Sequence, residues 1–273
     1  MTDQARPISR PWRRFLRFSV RGLIVFVVVL GAGLGWIVRQ AHIQRDAVAA
    51  IRKAGGTVSN DWEWNYSMWK DGKSIRGGKP WAPRWLVDLI GTDFFGHVAV
   101  VDCRGASTAT DATLAHVGPL NRLQWLTVNH ASVSDAGLVH LKGLTNLSVL
   151  WLDDTQVTDV GLVHLTGLTS LSNLGLDGIH VTDAGLVHLK GLTNLSVLGL
   201  NRIQVTDAGL VHLKGLTNLS VLGLDGTQVT DAGLVHLKGL TRLSNLGLNG
   251  SQVTDAGMNE LKRTLPGLTI HHP

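Results

Sequence analysis

The residues of this chain that could do chemistry recur at one fixed spacing of 24 residues. Imidazole and carboxylate groups are common metal ligands and common acid–base catalysts, and each forms one column along the chain. The histidines are His116, His140, His164, His188, His212 and His236. The aspartates are Asp135, Asp159, Asp183, Asp207, Asp231 and Asp255. Whether either column forms a site depends on how the fold spaces its members.

The histidines do not form a metal-binding pattern. His164 lies between Leu162 and Leu165, which share one face of a short helix, so its side chain should point away from that face. Equivalent residues in stacked copies would lie about 10 Å apart, and no Cys or second His flanks them. We predict surface histidines that protonate together at about pH 6 and then repel one another.

The aspartates are explained by helix capping. Each follows a Thr or Ser where a helix would begin, which suits a capping hydroxyl and a carboxylate at the positive end of the helix. The chain also has no G-x-S-x-G, H-E-x-x-H or G-x-x-x-x-G-K-[ST] motif. The sequence therefore predicts no enzyme, no metal site and no cofactor.

The repeat that carries these columns defines the fold. Leu147, Leu150, Leu152, Thr155 and Val157 give the pattern L-x-x-L-x-L-x-x-T-x-V, in which a short strand and a short helix each have one apolar face. Nothing inside a repeat covers these faces, so neighbouring copies must stack. We predict an α/β solenoid over residues 104–273, a leucine-rich-repeat horseshoe with a parallel β-sheet on one face and short helices on the other. Met258, Leu261 and a last strand at 268–270 form its C-terminal cap.

The basic net charge of +5 belongs to the start of the chain. Residues 1–39 contain seven Arg and one Asp, so the remainder is nearly neutral and no nucleic-acid binding is expected. Gly22 to Val38 runs for seventeen residues without a charge, with Trp12 and Trp36 near its ends. We predict a basic cytoplasmic tail (1–21), a transmembrane helix acting as a signal anchor (22–38) and periplasmic or extracellular repeats; a cleaved signal peptide is the alternative.

Residues 39–103 hold a tryptophan-rich segment. We predict a helix at 40–54 ended by Gly55 and Gly56, a strand at 57–66, a loop at 71–83, a helix at 84–90 and a strand at 97–103, with Cys103 buried. This α+β segment would cap the open end of the solenoid. The alternative is a glycan site lined by tryptophans. The tryptophans are Trp62, Trp64, Trp69, Trp81 and Trp85.

The outward face of the sheet is the predicted binding surface. One outward row contains only serines from Ser148 onward, and another contains glycines from Gly175 onward, so Trp125 and Trp151 should rise from a low surface. Clustered aromatic residues are favoured anchors for protein partners. The near-identity of the repeats favours a repetitive ligand or an architectural role. The predicted partner-binding residues are Trp125, Trp151, Val149, Asn173, Val197, Val221 and Asn245.

The block VTDAGLVHLKGLTNLSVLGLDGTQ resembles leucine-rich repeats of the ribonuclease-inhibitor-like superfamily, of the V-T-D-x-G-L type found in F-box leucine-rich proteins and bacterial GALA-type repeats. The start of the chain resembles the leader of membrane-anchored bacterial leucine-rich-repeat proteins. The resemblance implies a scaffold for protein–protein interaction outside the cytoplasm. No F-box precedes these repeats, so substrate recruitment to ubiquitin ligases does not transfer. The alternative function is an exported polysaccharide- or cell-wall-binding protein that uses tryptophan-rich surfaces.

Overall fold

A computed structural model of the chain describes residues 20–62, 82–91, 94–106 and 108–272. The chain divides into two compact units, Met1–Ala41 and His42–Pro273. The helices are α1 (Val20–Lys53), α2 (Arg84–Ile90), α3 (Asp111–Val117), α4 (Asp135–Leu138), α5 (Asp159–Leu162), α6 (Asp183–Leu186), α7 (Asp207–Leu210), α8 (Asp231–Leu234) and α9 (Asp255–Thr264). The strands are β1 (Thr57–Asn60), β2 (Val98–Asp102), β3 (Trp125–Thr127), β4 (Val149–Trp151), β5 (Asn173–Gly175), β6 (Val197–Gly199), β7 (Val221–Gly223), β8 (Asn245–Gly247) and β9 (Thr269–His271).

The first unit contains the apolar segment. Helix α1 includes the predicted span at 22–38, and its part from Leu23 to Lys53 contains an 18-residue window with a mean hydropathy of 2.0. A helix of this length and composition is sufficient to cross a bilayer. A signal sequence has the same properties. The predicted tail at 1–21 lies outside the described residues apart from its last two positions.

The second unit begins with the predicted α+β segment. Ala47 and Ile51 of α1 are buried in the core, and the helix ends before Gly55, whose φ of 82° favours glycine. Strand β1 stops at Asn60, shorter than predicted, and it pairs with β2 in the antiparallel sense. This antiparallel strand belongs to the α+β segment, whereas the strands of the repeats are parallel, as predicted. Helix α2 has the predicted bounds, whereas the predicted loop at 71–83 falls almost entirely outside the described residues.

The repeats form a leucine-rich-repeat solenoid. Strands β2 to β9 lie side by side in sequence order and are parallel. From β3 onward, each strand residue pairs with the residue 24 positions later, as Leu126 does with Leu150 and Leu150 with Leu174. The leucines that face inward from strand and helix are fully buried, so each repeat completes its core with its neighbours. This arrangement confirms the predicted fold.

The helix of each full repeat is short and is followed directly by a 3₁₀ turn. Helix α5 is one α-helical turn, followed directly by a 3₁₀ turn over Val163–Leu165. Leu162 of the first and Leu165 of the second are both buried. In the last repeat α9 is longer, and the final strand, β9, lies one residue beyond the predicted position. Met258 and Leu261 of α9 close the core, as predicted.

Candidate binding face

The aspartate column links successive repeats. The Oδ1 atom of Asp135 accepts a hydrogen bond from the backbone N–H of Thr158 at 2.8 Å, and its Oδ2 accepts from the Thr158 hydroxyl at 2.6 Å. That hydroxyl also accepts from the N–H of Val160, which is the predicted helix cap. The sequence predicted the cap but not the bridge to the preceding repeat. The same paired bonds join Asp111 to Ser134, Asp159 to Thr182, Asp183 to Thr206, Asp207 to Thr230 and Asp231 to Thr254.

The aspartate bridge also explains the glycine in V-T-D-x-G. A Cβ on Gly161 would stand 2.3 Å from Oδ1 of Asp135, closer than any side chain can approach. Hydrogen bonds from the Thr254 hydroxyl and backbone N–H lower the pKa of Asp231, so the bridge holds the charged carboxylate. The residues that resembled a catalytic column are therefore occupied in holding the stack together.

The histidine column lies deeper than predicted. His140 is exposed, but His164 and His212 are half-buried, and their Nδ1 atoms have no hydrogen-bond partner among the described residues. Burial and the charge of Lys142 lower the pKa of His164, against an opposing effect of Asp135. Burial and the charge of Lys190 likewise lower the pKa of His212. The pKa values of these two imidazoles therefore lie below that of a free histidine, because burial favours the neutral form, and their joint protonation stays a prediction. No group of three metal-binding side chains occurs in the described part of the chain.

The serine row on the sheet side is also used internally. The Ser148 hydroxyl donates to the backbone oxygen of Gln124 at 2.9 Å. The Ser172 hydroxyl donates to the backbone oxygen of Ser148 at 3.0 Å. Ser196, Ser220 and Ser244 continue the row. These hydroxyls therefore stabilise the edge where the strands begin and add little to a binding surface.

A second polar column crosses the sheet face where the strands end. Oδ1 of Asp153 accepts from the N–H of Asp177 at 3.0 Å, and Oδ1 of Asp177 accepts from the N–H of Asn201 at 2.9 Å. A Cβ on Gly175 would stand 2.6 Å from Oδ1 of Asp153. The glycine row is therefore required by the side chains that lie over it, which the sequence pattern did not reveal. The column, which we call the Asp/Asn ladder, comprises Asn129, Asp153, Asp177, Asn201, Asp225 and Asn249.

Trp125 and Trp151 lie on the sheet face next to the Asp/Asn ladder. The Trp151 ring rests on Gly175, because a Cβ there would meet its Cε3 atom at 2.1 Å. The Trp125 indole N–H donates to the hydroxyl of Thr127 at 2.8 Å. Both indoles are half-buried, so each keeps part of its ring accessible. The structure thus places the two predicted anchors diagonally across β3 and β4.

The remaining predicted contact residues differ in accessibility. Val149 pairs in register with Trp125 and precedes Trp151 by two residues on the same face. It is 0% exposed. Val149 therefore supports the face and cannot itself touch a partner, which corrects its predicted role. Asn173, Val197 and Val221 are half-buried, and Asn245 is exposed.

The chain has weak similarity to solved structures and none to curated proteins. It is similar to an internalin C2 (inlC2) from Listeria monocytogenes strain 4b F2365, with 28% identity, a TM-score of 0.41, and coverage of 60% of this chain and 74% of that one. It is also similar to an internalin (inlF) of the same strain, with 22% identity, a TM-score of 0.37, and coverage of 57% and 56%. Protein-family models and curated proteins give no match. The fold assignment therefore rests on the register and core of this chain.

Proposed function

We propose that this chain is a scaffold for protein–protein interaction, and that its partner binds the sheet face around Trp125 and Trp151. The other recurring polar side chains form hydrogen bonds between repeats: the aspartates accept hydrogen bonds from the next repeat, and the serines donate hydrogen bonds to the preceding one. Within the repeats, the sheet face is the surface on which both tryptophans lie. Its two indoles are the observation that carries the proposal, because partly exposed tryptophans are the side chains most enriched at the energetic centre of protein interfaces.

Photo-crosslinking tests this assignment. The photoreactive residue p-benzoylphenylalanine would replace Val197 on the sheet face or, as a matched control, Val187 in the helix-side turn, which is 38% exposed. We expect a discrete crosslinked protein from position 197 in the source cells and none from position 187. Equal crosslinking from both positions, or crosslinking from position 187 alone, would place the interface elsewhere.

Alanine substitution then identifies the anchor. Trp151→Ala should weaken partner binding by about 30-fold, the size expected for an energetic centre of about 2 kcal/mol. Trp85→Ala is the matched control, because Trp85 in α2 is 67% exposed yet lies outside the sheet. Melting curves of both variants would show that the solenoid is intact. Equal effects on binding would contradict the proposed role of Trp151.

We also propose that residues 22–38 anchor the chain in a membrane, with the basic tail in the cytoplasm and the repeats outside. The support is the helical segment with a mean hydropathy of 2.0, preceded by an arginine-rich sequence. The full chain should stay with membranes at alkaline pH, and protease added outside spheroplasts should degrade the repeats. A soluble mature protein that has lost its N-terminal residues would instead establish a cleaved signal.

A further inference from the structure

The sheet face carries negative charge beside its indoles. Oδ1 of Asp153 and Cε3 of Trp151 approach the same point above Gly175, at 2.6 and 2.1 Å, so the carboxylate lies against the indole. Asp177 is the next rung of the Asp/Asn ladder, hydrogen-bonded through its N–H to Asp153. No cation in the described residues forms an ion pair with Asp153 or Asp177. The face therefore presents two uncompensated carboxylates next to an aromatic surface.

The neighbouring aspartate is different, because its charge is compensated. One oxygen of Asp154 lies 3.2 Å from the Arg202 guanidinium, and the other lies 3.3 Å from Nδ1 of His130. Asp153 has no such partner. Burial raises its pKa, and the charge of Asp177 raises it further, although hydrogen bonds from the Asp177 N–H and Asn129 act in the opposite direction. A cation bound here would reduce the repulsion between the carboxylates of Asp153 and Asp177, which no ion pair in the described residues relieves.

We propose that the surface formed by Trp125, Trp151, Asp153 and Asp177 takes an arginine-bearing segment of the partner protein. This inference rests on the proposed function and specifies the chemistry of the partner. A guanidinium stacks on an indole and donates to carboxylates with the same planar group, so one side chain satisfies both features.

The ladder hydrogen bonds leave room for such a contact. Each oxygen of Asp153 accepts one hydrogen bond, from Asp177 and from Asn129 respectively, and a carboxylate oxygen has a second lone pair. The carboxylates are held in place by these bonds, so binding does not have to order them. A neutral sugar would stack on the indoles but would leave the two charges uncompensated.

A peptide-binding assay tests the inference with the full chain in non-ionic detergent. The probe is a fluorescein-labelled peptide of alternating glycine and arginine, compared with a peptide of alternating glycine and glutamate. Fluorescence anisotropy at about 0.1 M salt limits diffuse electrostatic attraction. We expect the arginine peptide to bind and the glutamate peptide not to bind at the same concentrations.

Matched variants locate the binding. Asp177→Asn should weaken arginine-peptide binding by about 5- to 10-fold, and Trp151→Leu by a similar factor. Asp225→Asn removes the same charge from the same ladder farther from the indoles, and should change binding by less than about 2-fold. Asparagine already stands in this ladder at positions 129, 201 and 249, so both Asp→Asn variants should fold.

The outcomes separate this inference from the proposed function. Equal losses in Asp177→Asn and Asp225→Asn, or no loss in Trp151→Leu, would mean diffuse charge attraction and overturn the inference. Competition by a neutral oligosaccharide as strong as by unlabelled arginine peptide would overturn it in favour of glycan binding. If the arginine peptide does not bind while position 197 still crosslinks to a protein, the inference fails and the proposed function stands. If position 197 does not crosslink, the proposed function itself fails.

Discussion

Removing one aspartate bridge should uncouple two neighbouring repeats. Asp159 accepts two hydrogen bonds from Thr182, one from its backbone N–H at 2.8 Å and one from its hydroxyl at 2.7 Å. Hydrogen bonds to charged groups contribute roughly 1.5–3 kcal/mol each, and water replaces part of that at a half-buried site. Asp159→Ala also loses the favourable charge at a helix start, about 0.3–1 kcal/mol. We expect a total loss of about 3 kcal/mol in the free energy of unfolding.

The last repeat supplies a matched control for this experiment. Asp255 begins α9 as Asp159 begins α5, but no residue in the described part of the chain donates a hydrogen bond to its carboxylate. Asp255→Ala should therefore lose only the helix-start contribution, about 0.3–1 kcal/mol. Asp159→Asn keeps one acceptor for the Thr182 N–H and should fall between the two.

Urea unfolding of the full chain in non-ionic detergent, followed by circular dichroism, measures these losses. Because repeat arrays depend on nearest-neighbour interfaces, Asp159→Ala should also broaden the transition as the two sides of the array unfold less cooperatively. Equal losses for Asp159→Ala and Asp255→Ala would refute the reasoning, since the bridge to Thr182 would then contribute nothing measurable.

Three further changes test other parts of the stack. Gly209→Ala should destabilise the fold by about 1–3 kcal/mol in urea unfolding, because a Cβ there would meet Oδ1 of Asp183 at 2.3 Å, whereas Gly215→Ala enters open space and should be neutral or stabilising by up to about 1 kcal/mol. His164 and His212 have pKa values below 6.5 in the folded state, so at acid pH they bind protons more readily in the unfolded chain than in the folded one. The melting temperature should therefore fall as the pH drops below about 6.5. This fall should be smaller in a variant in which both histidines are replaced by Gln. Burial raises the pKa of Cys103 to about 11, so iodoacetamide should modify it at pH 8 only after unfolding.

The sequence predicted the solenoid because its period fixes the register. A spacing of 24 residues without insertion places Leu150 beside Leu126 and Leu174, and any other register would expose the leucines. Local signals such as the paired glycines after α1 and the glycine after α2 also gave the correct helix ends. These predictions needed only neighbouring residues and the repeat length.

The polar bridges were beyond sequence reasoning because they depend on distances between repeats. Asp135 and Thr158 are 23 residues apart, and their bond requires the stack to bring one helix start within hydrogen-bond reach of the next. The sequence pattern places Val149 on the outward face of the sheet, and only the structure shows that it is fully buried there. The antiparallel pairing of β1 with β2 lies outside the 24-residue repeats and carries no periodic signal.

Positions where the turn after the strand departs from glycine indicate which residues serve recognition rather than stability. In the turn after the strand, Gly178, Gly226 and Gly250 adopt φ values of 67–68°, where glycine is unstrained. His130, Asp154 and Arg202 adopt the same left-handed conformation, which costs about 1 kcal/mol for most side chains. The ion pair between Arg202 and Asp154 is exposed and stabilises the fold by at most about that amount. Stability alone would therefore favour glycine at all of these positions. His130 and Asp154 lie in the turns that follow the strands of Trp125 and Trp151, and Arg202, two strands farther along, reaches Asp154. These exceptions support the proposed recognition at this end of the sheet face.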